Sequence, residues 1–421
     1  MAASDCERCE QEAILIRRSQ TCARAVLLLF LLAGAGASQE LTETEAIQLL
    51  RESSRVKERR ARLASSDAAS SRRSTYPGPS LNASFEGAGR TEFYFVEQEL
   101  LLGARDTAAK GLSALSADAE RARADFDTDR MLSSMLAEFY RLVYAQERIR
   151  VILDGIAEQE RIGQDIRAQE ASGNLSPHDV FMAGQSVAEL RVSTLESEIA
   201  AAQAKAALAD LLGNQVAPET LRAKGSLGPA QDLIPFREAL AAALANRADL
   251  RSAAAMLEAA RLEASAATRG WKPSVKLQGG IKRADIGDRL AVGPFVGVSM
   301  PVPLPGGRMP RDRAASSKQT LRQEQIGVLR NQIAAEMRVA HDTLRIRRAA
   351  ADGYREDVLE PARQLRESRL ARYREGESNP VDLLESERVA LSAELRSLEL
   401  RALAKAAEIQ FRQVIGNAGL D

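Results

Sequence analysis

The chain has 421 residues, of which 58 are lysine or arginine and 58 are aspartate or glutamate, so its formal net charge is zero. This balance removes the electrostatic argument for a nucleic-acid-binding protein, which needs an excess of basic residues on one face. Apolar residues make up 45% of the chain but aromatic residues only 4%, a composition that favours long helices. With only two histidines in the chain, we expect no multi-histidine metal site, no catalytic triad and no cofactor, and the sequence does not indicate an enzyme.

Residues 1–37 have the pattern of a secretory signal segment. Arginines at positions 17, 18 and 24 precede the apolar run 25–33, and Ala-Gly-Ala at 35–37 fits a cleavage site before Ser38. All three cysteines lie within the first 22 residues, so we expect the exported chain to lack cysteine. No later apolar run reaches the roughly 18 residues that a transmembrane helix needs, so any membrane crossing is expected to use strands.

An internal duplication is the strongest feature of the sequence. Residues 173–180 (GNLSPHDV) match residues 376–383 (GESNPVDL) in the pattern G-x-x-[SN]-P-x-D-[VL]. The duplication predicts a first repeat at 38–213, a glycine- and proline-containing linker at 214–235, and a second repeat at 236–421.

Each repeat is predicted to contain a helix, two strands, a long helix, a tight turn and another helix. In the first repeat the pattern gives a helix at about 41–75, strands at 80–86 and 92–102, and a helical hairpin at 104–213. In the second it gives strands at 274–282 and 293–304 and a helical hairpin at 310–416. A heptad-type seam from Leu132 to Ile156 indicates close packing of the first long helix on its neighbours. The fold class is therefore mainly α with a small β part.

The predicted lengths constrain the assembly. A helix of about 68 residues extends about 100 Å. Placed end to end, the two shorter helices of each half match the length of the long helix. Each half is therefore a helical piece of uniform width joined to two strands. Four strands per chain are too few to close a barrel, whereas three chains would supply twelve strands.

With these motifs in place, the sequence resembles the TolC family of outer-membrane efflux proteins over essentially the whole exported chain. The resemblance rests on the duplicated G-x-x-[SN]-P-x-D turns, on residues 372–376 (RYREG), on 246–251 (NRADLR) with 271–273 (WKP), and on 298–304 (VSMPVPL). It implies a homotrimer with a twelve-stranded outer-membrane β-barrel continued by a long periplasmic α-helical barrel. The implied function is a passive exit duct whose partners are outer-membrane lipid, a periplasmic adaptor protein and an inner-membrane pump, with resistance-nodulation-division (RND) pumps ranked first.

The resemblance also implies functional positions at the two turns and in the strands. Asp382, Glu385 and Asp179 fall on acidic positions of the periplasmic entrance, where three copies would form acidic rings. The residues of the turns that would dock the adaptor are Gly173, Ser176, Pro177, Tyr373, Gly376, Asn379 and Pro380. Lys276, Gln278 and Lys282 are expected to line the barrel lumen. Ser378 stands where some relatives have a gate-locking arginine.

The same residues also have structural interpretations. Gly173 and Gly376 fit helix C-caps, and Pro177 and Pro380 fit first helical positions after the N-caps Ser176 and Asn379. Asp179 and Asp382 fit acids that stabilise a helix N-terminus. A periplasmic or surface coiled-coil adaptor or stalk stays open as an alternative function, and the cargo stays open among metal cations, drugs and proteins. The second-half motifs are similar to those of the heavy-metal cation branch, but the scarcity of histidine and cysteine gives that assignment no independent support.

Overall fold

The computed structural model describes residues 39–73, 78–87, 91–100, 104–229, 232–268, 275–286, 289–300 and 309–416. The predicted signal segment 1–37 lies outside these ranges, as do the motif residues 271–273 and the ends of predicted strands at 101–102, 274 and 301–304.

The helices and strands occur in two similar series. The first series is β1 (Gln39–Thr42), α1 (Glu43–Glu52), α2 (Ser54–Arg73), β2 (Ser80–Glu86), β3 (Thr91–Leu100), α3 (Ala104–Ala171) and α4 (Pro177–Leu211). A 3-10 turn (Pro218–Thr220) and β4 (Leu221–Lys224) follow. The second series is α5 (Phe236–Asn246), α6 (Ala248–Thr268), β5 (Val275–Ile286), β6 (Arg289–Ser299), α7 (Met309–Tyr354), α8 (Glu360–Arg374) and α9 (Pro380–Ile415). This order confirms the predicted duplicated, mainly helical fold.

The structure differs from the sequence prediction at the start and the middle of the chain. In the described residues, β1 precedes the first helix and takes up Leu41 and Thr42, which were predicted to be helical. Thr42 caps α1: its hydroxyl accepts a hydrogen bond from the Glu45 amide, and the Glu45 carboxylate accepts one from the Thr42 amide. Strand β4 lies in the segment expected to be an irregular linker and pairs in parallel with β1. Four-residue strands are too short to give a clear alternating pattern.

Helix α3 organises the core of the first half. Its buried residues Leu132, Phe139 and Leu142 belong to the predicted seam and pack with residues of α4, β1 and β4. The seam also contains Gln146, whose side-chain amide donates to the Ala223 carbonyl at 2.7 Å and accepts from the Ala223 amide at 3.1 Å. This polar seam residue therefore satisfies the edge of β4.

The seam does not stay on one line along α3. Leu153, predicted to be in the seam, is 50% exposed, whereas Ile152, Ile162 and Ile166 are buried. A straight α-helix drifts relative to a strict seven-residue repeat, so the buried stripe moves around a long helix. None of the helices in the described ranges has both the length and the apolarity that crossing a membrane requires.

The predicted long helix of the second half is interrupted. A π-helical segment (Arg355–Leu359) joins α7 to α8, two residues before Pro361. Proline has no amide hydrogen and its ring clashes with the carbonyl four residues earlier, so the helix widens by one residue here instead of continuing regularly.

The longer strands form one antiparallel sheet in the order β2-β3-β5-β6, which joins the strand pairs of the two halves. Strands β2 and β6 are its two edges. In this register Phe95 and Phe295 lie on either side of Gly280, and Phe93 lies opposite Lys282.

Candidate functional site

The first hairpin tip joins α3 to α4 through a glycine turn. Gly173 has a φ of +80°, a left-handed conformation that glycine adopts without steric cost. Its amide donates to the Glu170 carbonyl at 2.8 Å, and the Asn174 amide donates to the Gln169 carbonyl at 2.9 Å. These bonds satisfy carbonyls that would otherwise be left open at the end of α3, so Gly173 ends the helix as its sequence position predicted.

Asp179 is engaged at the start of α4. Its Oδ2 accepts hydrogen bonds from the Ser176 amide at 3.0 Å and from the Ser176 hydroxyl at 2.9 Å. These bonds, the backbone one foremost, lower the pKa of the Asp179 carboxyl below its usual value. Pro177 occupies the first helical turn. The contacts of Asp179 are therefore those of a helix-capping residue.

The second tip repeats the turn but caps α9 differently. Gly376 has a φ of +76°, and its amide donates to the Tyr373 carbonyl at 3.1 Å. The Asn379 side-chain oxygen accepts from the Val381 amide at 3.0 Å, so this N-cap needs no carboxylate from the next turn. Pro380 is buried beneath it.

Asp382 and Glu385 both extend from α9 into solvent. Their side chains are 57% and 68% exposed. An Arg369 nitrogen lies 4.0 Å from Asp382, and an Arg388 nitrogen lies 3.5 Å from Glu385. Since residues three apart share one face of a helix, the two carboxylates form a small acidic patch close to the tip, each with an arginine beside it.

A hydrogen bond links the two hairpins at this level. The Tyr373 hydroxyl on α8 donates to Asp165 Oδ2 on α3 at 2.8 Å. Burial, the hydrogen bond and the charge of Asp165 raise the pKa of Tyr373 to about 12. Beneath the bond lies an apolar cluster whose buried members are Ile162, Ile166, Ala183, Leu383 and Leu384. Asp165 carried no signal in the sequence, because it lies inside a long helix without a distinguishing motif.

A charged cleft of about 600 Å³ lies between α3, α8 and α9, further along these helices from the tips. Its charged lining residues are Arg150, Arg161, Arg363, Arg366, Arg401, Glu147, Asp154, Glu158, Glu367, Glu387 and Glu394. Glu387 is buried, lies 3.8 Å from Arg366 and has its pKa raised by desolvation. The sequence analysis missed this cleft, since its residues are spread over three helices.

The predicted lumen residues occupy one face of the sheet. Lys276 Nζ lies 2.8 Å from Glu97 Oε1, and Gln278 donates to Glu97 Oε2 at 2.7 Å. Lys282 Nζ lies 5.3 Å from the ring centroid of Phe93. Positions 276, 278 and 282 alternate with the intervening residues, so all three side chains are on the same side of β5.

The opposite face of the sheet is mostly apolar and exposed, with one charged pair, Glu92 and Arg283, 3.8 Å apart. Its exposed apolar side chains are Leu81, Phe85, Tyr94, Val96, Leu277, Ile281, Leu290, Val292, Val296 and Val298. Two of them, Val296 and Leu81, are 82% and 84% exposed. A contiguous apolar surface of this kind on a folded chain marks contact with a membrane or another protein.

Metal-binding residues do not come together in the described ranges, which contain no group of three or more His, Cys, Asp or Glu able to hold an ion. His178 is exposed beside the first tip. His341 lies on α7, where its Nε2 is 3.3 Å from the Ile234 carbonyl. The two histidines therefore belong to different parts of the molecule.

Known proteins share both sequence and fold with this chain. Residues 239–417 match the family described as "Outer membrane efflux protein". The "Cobalt-zinc-cadmium resistance protein CzcC" of Cupriavidus metallidurans is 24% identical over 270 residues, and the match spans 63% of each chain, which is less than two thirds of that relative's length.

Solved structures extend the similarity to the whole fold. The outer-membrane channel OprN superposes with a TM-score of 0.70 at 20% identity, over 89% of this chain and 90% of that one. The outer membrane protein VceC of Vibrio cholerae gives a TM-score of 0.69 at 15% identity, over 89% and 96% of the two chains. The family match also confirms the expectation of a protein that is not an enzyme. The second half of this chain, residues 239–417, therefore matches the outer membrane efflux protein family, and the described chain as a whole shares the fold of these outer-membrane channels.

Proposed function

We propose that the protein is the outer-membrane exit duct of a tripartite efflux system, conducting cargo passively from the periplasm to the outside. The observation that carries the proposal is the two-faced sheet, which is mostly apolar and exposed on one side and carries Lys276, Gln278 and Lys282 on the other. A strand with alternating apolar and polar residues suits a barrel wall between lipid and water. The three polar residues then face the lumen.

The open edges of the molecule support assembly from copies of the same chain. Helix α4 packs on α3, and on its opposite side it exposes an apolar stripe formed by Phe181, Val192, Leu195 and Ile199. Helix α7 packs on α6 and α9 and likewise exposes Leu321, Val328, Val339 and Ile346. Two different apolar edges on one chain fit a head-to-tail ring, and the open outer edges of strands β2 and β6 need the same closure. Three copies give twelve strands.

The helices give the duct its length. The 68 residues of α3 correspond to about 100 Å, enough to extend from an outer-membrane barrel deep into the periplasm. The tips at Gly173 and Gly376 lie at the far end of these helices from the sheet. We therefore assign the tips to the periplasmic entrance, where Asp382 and Glu385 of three copies form acidic rings.

The tips also supply the docking surface for an adaptor in this proposal. The residues concerned are Gly173, Ser176, Pro177, Tyr373, Gly376, Asn379 and Pro380, with Asp179 fixing the shape of the first turn. An RND pump in the inner membrane is the expected energy source. The cargo is chosen by that pump, with metal cations and drugs ranked above proteins; the name of the CzcC relative supports the metal class.

The test combines oligomeric mass in detergent with single-channel recording in a planar bilayer. We expect a trimer that needs detergent for solubility and carries discrete, cation-selective currents. Leu195→Glu with Ile199→Glu places charges on the exposed stripe of α4, so it should reduce the mass to one chain and abolish the currents. Glu219→Lys, on an exposed turn outside both stripes, is the matched control. A monomer that is soluble without detergent and carries no current would instead support the coiled-coil stalk.

A further inference from the structure

Three phenylalanines form a cluster on the otherwise polar face of the sheet. The ring centroids of Phe93 and Phe295 are 5.4 Å apart, and those of Phe95 and Phe295 are 5.5 Å apart. All three side chains are partly exposed. The apolar residues of the opposite face already account for contact with lipid, so an aromatic cluster on the polar face needs a separate explanation.

Gly280 explains why the rings lie so close to one another. A Cβ atom at this position would lie 2.0 Å from the Tyr94 carbonyl oxygen and 2.6 Å from Phe95 Cα, so only glycine fits. Phe95 and Phe295 flank the glycine in register, so no side chain separates them. The rings remain partly exposed on this face of the sheet.

A lysine lies beside the rings. Lys282 Nζ is 5.3 Å from the Phe93 centroid, and the described residues offer it no ion pair. Lys276, on the same strand and face, is by contrast neutralised by Glu97 at 2.8 Å. The other carboxylates on this face, Glu86 and Glu99, are opposite Thr91 and Lys276 in the register and not opposite Lys282.

We propose that Phe93, Phe95, Phe295 and Lys282 form a binding site in the lumen for amphiphilic aromatic anions. The aromatic part of the ligand packs on the exposed rings, and its carboxylate or sulfonate meets the Lys282 ammonium group. The proposal rests on the proposed function, because that function turns this face toward the lumen. The site selects one chemical class of cargo, aromatic anions, whereas the acidic rings proposed for the periplasmic entrance do not select this class.

The site is tested by fluorescence quenching in the detergent-solubilised trimer. Trp271 is the only tryptophan, so Trp271→Phe gives a dark background into which Phe295→Trp introduces a reporter. The probe is 4-nitrobenzoate, an aromatic anion that quenches tryptophan. We expect saturable quenching of this reporter. Phe85→Trp, on the apolar face, is the matched control and should show only linear quenching. If the larger ring at 295 prevents folding, Phe93→Trp replaces it.

Two further variants measure separately how much the Lys282 charge and the aromatic rings contribute to binding. Lys282→Gln should weaken 4-nitrobenzoate about twofold to fivefold, the size of an exposed ion pair, and leave neutral 4-nitrobenzyl alcohol unchanged. Phe95→Leu should weaken both probes about twofold to tenfold. Linear quenching at position 295, or affinities indifferent to Lys282, would overturn the site. If the same trimer still conducts, the proposed duct survives that failure; a monomer without current would contradict the duct itself.

Discussion

The two hairpin tips share one sequence pattern but use its aspartate differently. At the first tip Asp179 is bonded to both the amide and the hydroxyl of Ser176. At the second tip Asn379 caps the helix with its own side chain, and Asp382 remains 57% exposed. The comparison indicates that the residue at the N-cap decides whether the following acid is held in the cap or left free for another role.

The tips differ again one turn earlier. Tyr373, three residues before Gly376, bonds to Asp165 on the other hairpin. The position three residues before Gly173 is Glu170, which makes no comparable contact with the second hairpin among the described residues. The second tip is therefore both the one with exposed acids and the one bonded to the neighbouring hairpin.

Removing the free acids should have the largest effect. Asp382→Ala with Glu385→Ala removes the carboxylates that form the acidic rings of the proposed entrance, together with their contacts with Arg369 and Arg388, so we expect a several-fold rise in open probability in planar bilayers. Asp179→Ala removes the acid that is held in the cap, so currents should stay close to wild type. Equal currents from the two variants would contradict the division of roles between the tips.

The bond between the hairpins should come second. Tyr373→Phe deletes the hydroxyl that reaches Asp165, and the loss of one hydrogen bond costs about 1 kcal/mol. Hydrogen exchange of the α8 amides should accelerate accordingly, and open probability should rise less than in the double acid variant. Glu170→Gln at the equivalent position of the first tip is the control. Unchanged exchange in Tyr373→Phe would mean that the bond does not hold the tip.

Exchanging the caps should produce a smaller and reciprocal effect. Asn379→Ser removes the self-capping side chain, so Asp382 is expected to turn back and accept hydrogen bonds at this N-cap in the manner of the first tip. Open probability should then rise by a fraction of the effect of the double acid variant. Ser176→Asn should release Asp179 without changing the current. A crystal structure of the Asn379→Ser protein with Asp382 still in solvent would refute the explanation.

The smallest effect concerns pH at the first tip. The folded pKa of Asp179 is lowered, so its stabilising contribution is present above the unfolded pKa of about 3.9 and is lost as pH falls through the folded value. The Ser176 amide, which donates to this carboxylate, should lose protection from exchange at acid pH. Asp179→Asn should make that protection independent of pH. A wild-type Ser176 amide that stays equally protected at low pH would argue against the capping bond.

Much of the architecture could be predicted because its signals are local. Glycine and proline mark both turns within eight residues, and the duplication doubles the evidence for each element. Strands β1 and β4 gave no such signal, since four residues do not establish an alternation. The π-helical segment is visible only as Pro361, which predicts an irregularity but not its form.

The candidate site was predictable to a different extent. Tyr373, Asp382 and Glu385 lie beside a recognisable turn, so position alone drew attention to them. Asp165 lies 208 residues from Tyr373 within an unmarked helix, and only the packing of α3 against the second hairpin brings the two together. The aromatic patch was missed because Phe93, Phe95 and Phe295 come from different halves and meet only through the register of the sheet.

The pairing of β1 with β4 has a consequence for the order of folding. Gln39 pairs with Leu221, so the first residues of the described chain find their partners only after the whole first hairpin has been made. Closing so long a loop is slow, and contacts of high sequence separation delay folding. In a chain that folds from its amino-terminal end, this segment therefore waits unpaired while about 180 residues follow it.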